Sequence, residues 1–106
     1  MSNVILAVSV VVAWIVCQLI KAMLGNKRSW RFVFLSGGMP SSHTAVAAAL
    51  ATGLYFLQGF SALFVTALVI AALVIQEALD TKRHTPAEVS VGLLIGAVTA
   101  VILFLL

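Results

Sequence analysis

The chain has 106 residues, with six Lys or Arg against three Asp or Glu and a formal net charge of +3. Hydrophobic residues make up 63% of it, charged residues 8%, and the mean hydropathy is +1.22. Soluble domains have about 45–50% apolar and about 25% charged residues. The composition therefore excludes a soluble fold and predicts one integral membrane domain over 1–106. The single cysteine, Cys17, excludes an intrachain disulfide.

Four apolar runs follow one another along the chain, separated by polar breaks. A membrane-spanning helix needs about 20 residues, with a range of roughly 17–25. The second run is the shortest, and it reaches that length only if its helix starts near Pro40. We therefore predict an all-α integral membrane protein, a compact bundle of four transmembrane helices near 3–24, 40–57, 60–80 and 86–106.

The basic residues fall in only two places. Four lie between predicted helices 1 and 2, and two lie between helices 3 and 4: Lys21, Lys27, Arg28 and Arg31, then Lys82 and Arg83. The positive-inside rule assigns this face to the cytoplasm, which predicts a multi-pass protein of the inner or plasma membrane with its site on the cytoplasmic side. Basic residues that bind an anionic ligand would give the same distribution of charge along the chain. Under either explanation the two polar breaks share one face of the bundle.

The first break, GGMPSSHTA at 37–45, places Pro40, Ser41, Ser42 and His43 directly before the second apolar run. A helix N-terminus has unpaired N–H groups and a positive dipole end, which attract anions. Glycines let the backbone approach a ligand, and a histidine exchanges a proton near neutral pH. The segment predicts an anion site, although a proline and hydroxyls are also typical of a plain helix start.

The second break, TKRHTPAE at 81–88, repeats this arrangement before helix 4. Two basic residues precede His84, and Thr85 and Glu88 have the spacing of a capping box. Glu88 has a second interpretation, because an acid four residues after a histidine lies on the same helix face if the helix includes both. Two breaks with one histidine each predict a single polar site that handles an anion.

Small residues recur in helices 2 and 4. Helix 4 contains Gly92-x-x-x-Gly96, and helix 2 contains Ala45, Ala47, Ala48, Ala49, Ala51 and Gly53. Small residues let transmembrane helices approach one another closely. We interpret both sets as packing faces and expect the chain to self-associate through them, most simply as a dimer.

These segments resemble the divergent branch of the PAP2 family, small membrane proteins related to phosphatidic acid phosphatases and vanadium-dependent haloperoxidases. The resemblance rests on WIVCQLIKAML (14–24), SGGMPSSHTA (36–45) and RHTPAEVSVGLLIGA (83–97), which occur in the family's order. It implies a PAP2-like core and hydrolysis of a lipid phosphomonoester, such as phosphatidic acid or phosphatidylglycerophosphate. We expect no metal site, no other cofactor and no nucleic-acid partner, and whether activity depends on a metal stays open.

The same resemblance gives each polar residue a role. His84 is expected to be the nucleophile that accepts the phosphoryl group, Glu88 to orient it, and His43 to protonate the leaving alcohol. Phosphoryl transfer also needs cations and N–H donors around the phosphate oxygens. Residues that resemble the family's phosphate ligands are Lys21, Arg28, Ser41, Ser42, Lys82 and Arg83.

The chain departs from the family's pattern just before the second histidine. In the family, a polar stretch with an acid and paired arginines is followed by a variable connection, and the His motif comes after that connection. Here Glu77 is followed within a few residues by Arg83 and His84. The arginine expected six residues before the histidine is Ala78. Either Arg83 or Arg28 takes its place on the phosphate, or catalysis is impaired.

Three classes of function therefore stay open. A lipid phosphate phosphatase accounts for the paired histidines, the hydroxyls and the cations. A non-catalytic relative that binds anionic lipid headgroups, or acts as a membrane scaffold, accounts for the shortened connection. A small four-helix transporter fits the length, but such proteins normally have an ionisable residue deep in the membrane, and none lies deep in helix 1.

Overall fold

The computed structural model describes residues 2–24, 42–80 and 85–106. Over these ranges the chain forms four α-helices and no strand, which confirms the all-α fold class. The predicted start of the second helix at 40 lies outside the described residues, and the other predicted ends agree with the structure within two residues. The helices are α1 (Ser2–Leu24), α2 (Ser42–Gln58), α3 (Ala62–Asp80) and α4 (Pro86–Leu105).

A tight turn joins α2 to α3. Gly59, with φ of 67°, follows the last residue of α2 and donates its N–H to the carbonyl of Tyr55 at 2.7 Å. Glycine adopts this left-handed conformation without the steric cost that a Cβ brings. Ser61 then caps α3, because its hydroxyl oxygen accepts a hydrogen bond from the N–H of Phe64 at 3.2 Å. The turn makes α2 and α3 an antiparallel pair, and Tyr55 and Phe64 contact each other with ring centroids 5.2 Å apart.

Three helices of the described chain are long and apolar enough to span a membrane, over Asn3–Ile20, Ala62–Asp80 and Pro86–Leu105. The helix α2 differs from them. It has 17 residues and is about 26 Å long at 1.5 Å per residue, which is shorter than the hydrocarbon core of about 30 Å. Eight of its residues are buried, against three in α3 and four in α4. By burial, α2 therefore forms the centre of the bundle.

The helices pack through stripes of small residues. The helix α2 contacts all three others, α1 also contacts α4, and α3 touches α4 only slightly. At the centre of the bundle Ala13, Ala49 and Ala100, one from each of α1, α2 and α4, form a buried cluster against Val10. Side chains this small bring helix backbones close together, so van der Waals contact between helices stabilises the bundle.

Glycine contacts fix the direction and register of the helices. A Cβ on Gly96 of α4 would overlap the carbonyl oxygen of Ala45 in α2, and eight residues further along each helix Gly53 lies against Phe104. The helices α2 and α4 therefore run parallel. Gly53 also lies against Leu6 of α1, so α1 runs antiparallel to α2. The interpretation of these small residues as packing faces is confirmed, and they pack within one chain; the dimer stays a prediction.

These directions bring four helix ends together. The C-terminal ends of α1 and α3 and the N-terminal ends of α2 and α4 lie at the same end of the bundle. Each polar break of the sequence joins two of these four ends. The described residues that flank both breaks thus share one end of the bundle, as the sequence predicts.

Candidate functional site

The start of α2 contains the one predicted catalytic histidine that the structure describes. His43 lies in the first turn of the helix and is exposed, whereas its neighbours Ser42 and Thr44 are 4% and 0% exposed. The first turn of α2 has no acidic residue. No carboxylate of that turn therefore offsets the positive end of the helix dipole, which favours an anion at this position.

A groove of about 240 Å³ lies directly beside His43. It lies between α1 and α3, which both pack on α2 while their described backbones stay more than 8 Å apart from Cα to Cα. His43 and Ser42 line one end, and the other described residues of the lining are apolar apart from the indole N–H of a tryptophan. The other lining residues are Trp14 from α1, Val46, Ala47 and Leu50 from α2, and Ile70 and Val74 from α3.

The start of α4 has a complete capping box. The hydroxyl oxygen of Thr85 accepts a hydrogen bond from the N–H of Glu88 at 3.2 Å, and Oε1 of Glu88 accepts one from the N–H of Thr85 at 3.0 Å. The capping interpretation of Glu88 is therefore confirmed. A carboxylate has about four lone-pair sites on two oxygens, so the box does not exhaust its acceptor capacity. Its proposed role toward a histidine stays a prediction.

The two helix starts lie at different heights in the bundle. Gly96 is level with Ala45, and Glu88 precedes Gly96 by eight residues while His43 precedes Ala45 by two. The difference of six residues corresponds to about 9 Å along the axis at 1.5 Å per residue. The start of α4 therefore projects beyond the start of α2, and Glu88 is not among the residues that line the groove.

Most predicted phosphate ligands lie where the structure gives no side chain. Lys21 is within α1 near its C-terminal end, but only its backbone is described. The predicted convergence of His84, His43 and Arg83 in one pocket therefore stays a prediction. The predicted site residues that lie outside the described ranges are Arg28, Ser41, Lys82, Arg83 and His84.

The position where the family resemblance expects an arginine is described, and it points into the bundle. Ala78 is 2% exposed on α3, so a guanidinium there would have to be buried. The alanine fits the packing of this chain. Within the described residues, no group of three His, Cys, Asp or Glu side chains is placed to hold a metal ion.

The sequence did not predict the groove. Its walls combine Val46 and Leu50 of α2 with Ile70 and Val74 of α3, and each pair has the spacing of one helix face. That spacing was the available signal. It was uninformative because apolar residues occupy nearly every position of these helices.

Comparisons with known proteins agree with the sequence resemblance. The family model for the divergent PAP2 family matches residues 1–84. The uncharacterized membrane protein YuiD of Bacillus subtilis (strain 168) is 31% identical to this chain over 84 residues, which cover 78% of this chain and 53% of that protein. The match therefore spans about half of that relative. No solved structure matches. The family match includes His43 and ends at His84, so Glu88 and α4 lie beyond it.

Proposed function

This chain is a membrane protein of the divergent PAP2 family, and we propose that it hydrolyses a phosphomonoester on a membrane lipid, of the phosphatidic acid or phosphatidylglycerophosphate type. One observation carries the proposal: His43 is exposed in an acid-free first turn, at the end of the bundle that both polar breaks flank. An anion and a proton donor are thereby favoured at one place in a membrane protein.

The proposed reaction has two steps. A ring nitrogen of His84 attacks the phosphorus atom, the bond from phosphorus to the lipid alcohol oxygen breaks, and protonated His43 donates its proton to that oxygen. Water then attacks the phosphohistidine, the phosphorus–nitrogen bond breaks, and inorganic phosphate leaves. Neutral His43 accepts a proton from the attacking water, which restores both histidines.

The other polar residues stabilise charge in this reaction. Glu88 uses one carboxylate oxygen for the helix cap and supplies a negative charge to the imidazole of His84 as it becomes cationic. The hydroxyls and cations of the two breaks, together with the first N–H groups of α2, hold the phosphate oxygens. These residues are Lys21, Arg28, Ser41, Ser42, Lys82 and Arg83.

A second candidate function is supported by a specific observation. Ala78 is buried at the position where the family resemblance expects an arginine. A site that lacks this cation can still bind a phosphate group, but it stabilises the transition state of phosphoryl transfer less. The second candidate is therefore a non-catalytic relative that binds anionic lipid headgroups or acts as a membrane scaffold.

Phosphate release distinguishes the two candidates. Purified protein in detergent is given a panel of lipid phosphates, with His84→Ala and His43→Ala prepared in parallel. The phosphatase proposal expects release from at least one lipid that disappears in His84→Ala. Release that is equal in His84→Ala contradicts it. Saturable binding of the same lipids without any release supports the headgroup-binding candidate instead.

A further inference from the structure

The groove beside His43 lies between the two helices that flank it. Within the described residues α1 and α3 both pack on α2, and no Cα atom of one lies within 8 Å of a Cα atom of the other. Both are long and apolar enough to span a membrane, so the open side faces the hydrocarbon of the bilayer. A molecule that enters the groove therefore comes from the lipid phase.

Polarity changes from one end of the groove to the other. His43 lies at the start of α2, and Leu50 lies seven residues deeper, which is about 10 Å along the axis at 1.5 Å per residue. Between them the walls are formed by Val46, Ile70 and Val74. The groove fits a molecule that is polar at one end and apolar along the rest.

We infer that this groove binds one acyl chain of a lipid whose phosphate lies beside His43. That the headgroup is a phosphate rests on the proposed function, whereas binding of an acyl chain is inferred from the groove itself. A dry apolar cavity of about 150 Å³ holds benzene, so about 240 Å³ holds on the order of ten chain carbons. An α-helix with its side chains is about 10–12 Å across. A groove of this volume is too narrow to admit it, so a helix of a second copy does not fill the groove.

Electrostatics favours an anionic lipid over a zwitterionic one. The end of α2 beside the groove is the positive end of its dipole, and the chain has a net charge of +3, with its six Lys and Arg near the end of α1, between α1 and α2, or between α3 and α4. The acyl chain itself gains little from the hydrophobic effect, because it moves from one apolar phase to another. Its contribution is to hold the phosphate at His43 in a reactive position.

Photolabelling tests the groove without requiring catalysis. Phosphatidic acid and phosphatidylcholine, each with a diazirine midway along one acyl chain, are placed at equal mole fraction in vesicles with the full chain. We expect the phosphatidic acid label on Leu50, Ile70 or Val74, and the phosphatidylcholine label spread over the exposed faces. The same label distribution for both lipids would overturn the inference.

Two neighbouring variants sharpen this test. Ile70→Trp fills the groove from α3, and Val69→Trp is its matched control because Val69 is similarly exposed (54% against 47%) and does not line the groove. We expect Ile70→Trp to lower phosphatidic acid labelling of Leu50 at least fivefold and Val69→Trp to leave it unchanged. Equal labelling in the two variants contradicts the inference. If Ile70→Trp does not fold, Val74→Trp replaces it, with Leu73→Trp as its control.

Turnover separates failure of this inference from failure of the proposed function. Ile70→Trp should lower hydrolysis of long-chain phosphatidic acid several-fold more than it lowers hydrolysis of a water-soluble aryl phosphate, whereas Val69→Trp should change neither. Equal loss on both esters would contradict a role in chain binding. If the wild-type chain hydrolyses neither ester, the proposed function fails. The positions of the photolabel still decide whether the groove binds an acyl chain.

Discussion

His43 is exposed in a first turn without an acidic residue at the start of α2, whereas the start of α4 is closed by a capping box of Thr85 and Glu88. Both starts lie within a polar segment of the sequence that contains a proline, a hydroxyl and a histidine. The box in α4 satisfies two backbone N–H groups and places a negative charge at the positive end of the helix. An anion is therefore favoured at the start of α2 and disfavoured at the start of α4. The same residue types thus produce a helix start without an acidic residue at α2 and a capped helix start at α4.

Removing the two histidines should have the largest effects. We expect His84→Ala to abolish turnover of every phosphate ester, because no nucleophile remains. His43→Ala should reduce turnover of lipid phosphates more than turnover of an activated aryl phosphate, whose leaving group needs little protonation. The measurement is phosphate release from both ester classes. An equal loss in His43→Ala on both classes contradicts its role as an acid.

Glu88→Gln tests whether the cap of α4 also takes part in catalysis. Glutamine keeps a side-chain oxygen that can accept from the N–H of Thr85, so the free energy of unfolding should fall by only about 0.3–1 kcal/mol, the value of one charge at a helix end. Loss of the carboxylate in a Ser-His-Asp triad costs about 10⁴ in rate, and we expect a loss approaching that size. The measurements are thermal unfolding and phosphate release.

Glu88→Asp is the companion variant, since it keeps the charge and restores the acid that the family resemblance expects. We expect partial activity from it. A folded Glu88→Gln variant with near-normal turnover would limit Glu88 to capping and weaken the assignment of His84 as nucleophile.

Gly96→Ala should destabilise the contact that sets the relative heights of the two starts. The added Cβ would overlap the carbonyl oxygen of Ala45, and overpacking of this kind typically costs about 1–3 kcal/mol. Thermal unfolding in detergent should show the loss. Val98→Ala, on an exposed part of the same helix, is the control and should change stability less. Equal stability of the two variants would mean that α4 can move away from α2 at little cost.

Thr85→Ala should have the smallest effect of the series. It removes the hydroxyl that accepts from the N–H of Glu88, and loss of an N-cap costs about 0.5–2 kcal/mol. The control is Thr66→Ala, because the Thr66 hydroxyl only donates to the carbonyl of Ala62 within its own helix at 2.8 Å. A loss of stability in Thr66→Ala as large as in Thr85→Ala would show that the cap contributes nothing particular to α4.

The sequence predicted the parts of this structure that depend on local signals. The cap of α4 follows from the spacing of Thr85 and Glu88, and the four helices follow from the apolar runs. The central position of α2 was not predicted, although its alanines, Ala45 to Ala51, point to close packing. Small residues indicate that another helix packs closely against them, but they do not indicate which helix.

The groove could not be predicted for a related reason. Ile70 is exposed to the bilayer on one side and lines the groove on another, and a membrane helix is apolar on both. Periodicity therefore does not separate a lipid-facing residue from one that lines a pocket. The separation between the described backbones of α1 and α3 arises from how both pack on α2, which depends on the whole bundle.

The lower position of the α2 start has a consequence for how a substrate arrives. His43 lies about 9 Å below Glu88 of α4, estimated at 1.5 Å per residue, and in the proposed reaction a lipid would meet it by lateral diffusion within its own leaflet. Desorption into water would cost about 0.8 kcal/mol for every methylene exposed. Lateral approach would avoid that work. In the proposed reaction the two products would then separate by solubility alone, with the alcohol remaining in the leaflet and the phosphate leaving into water.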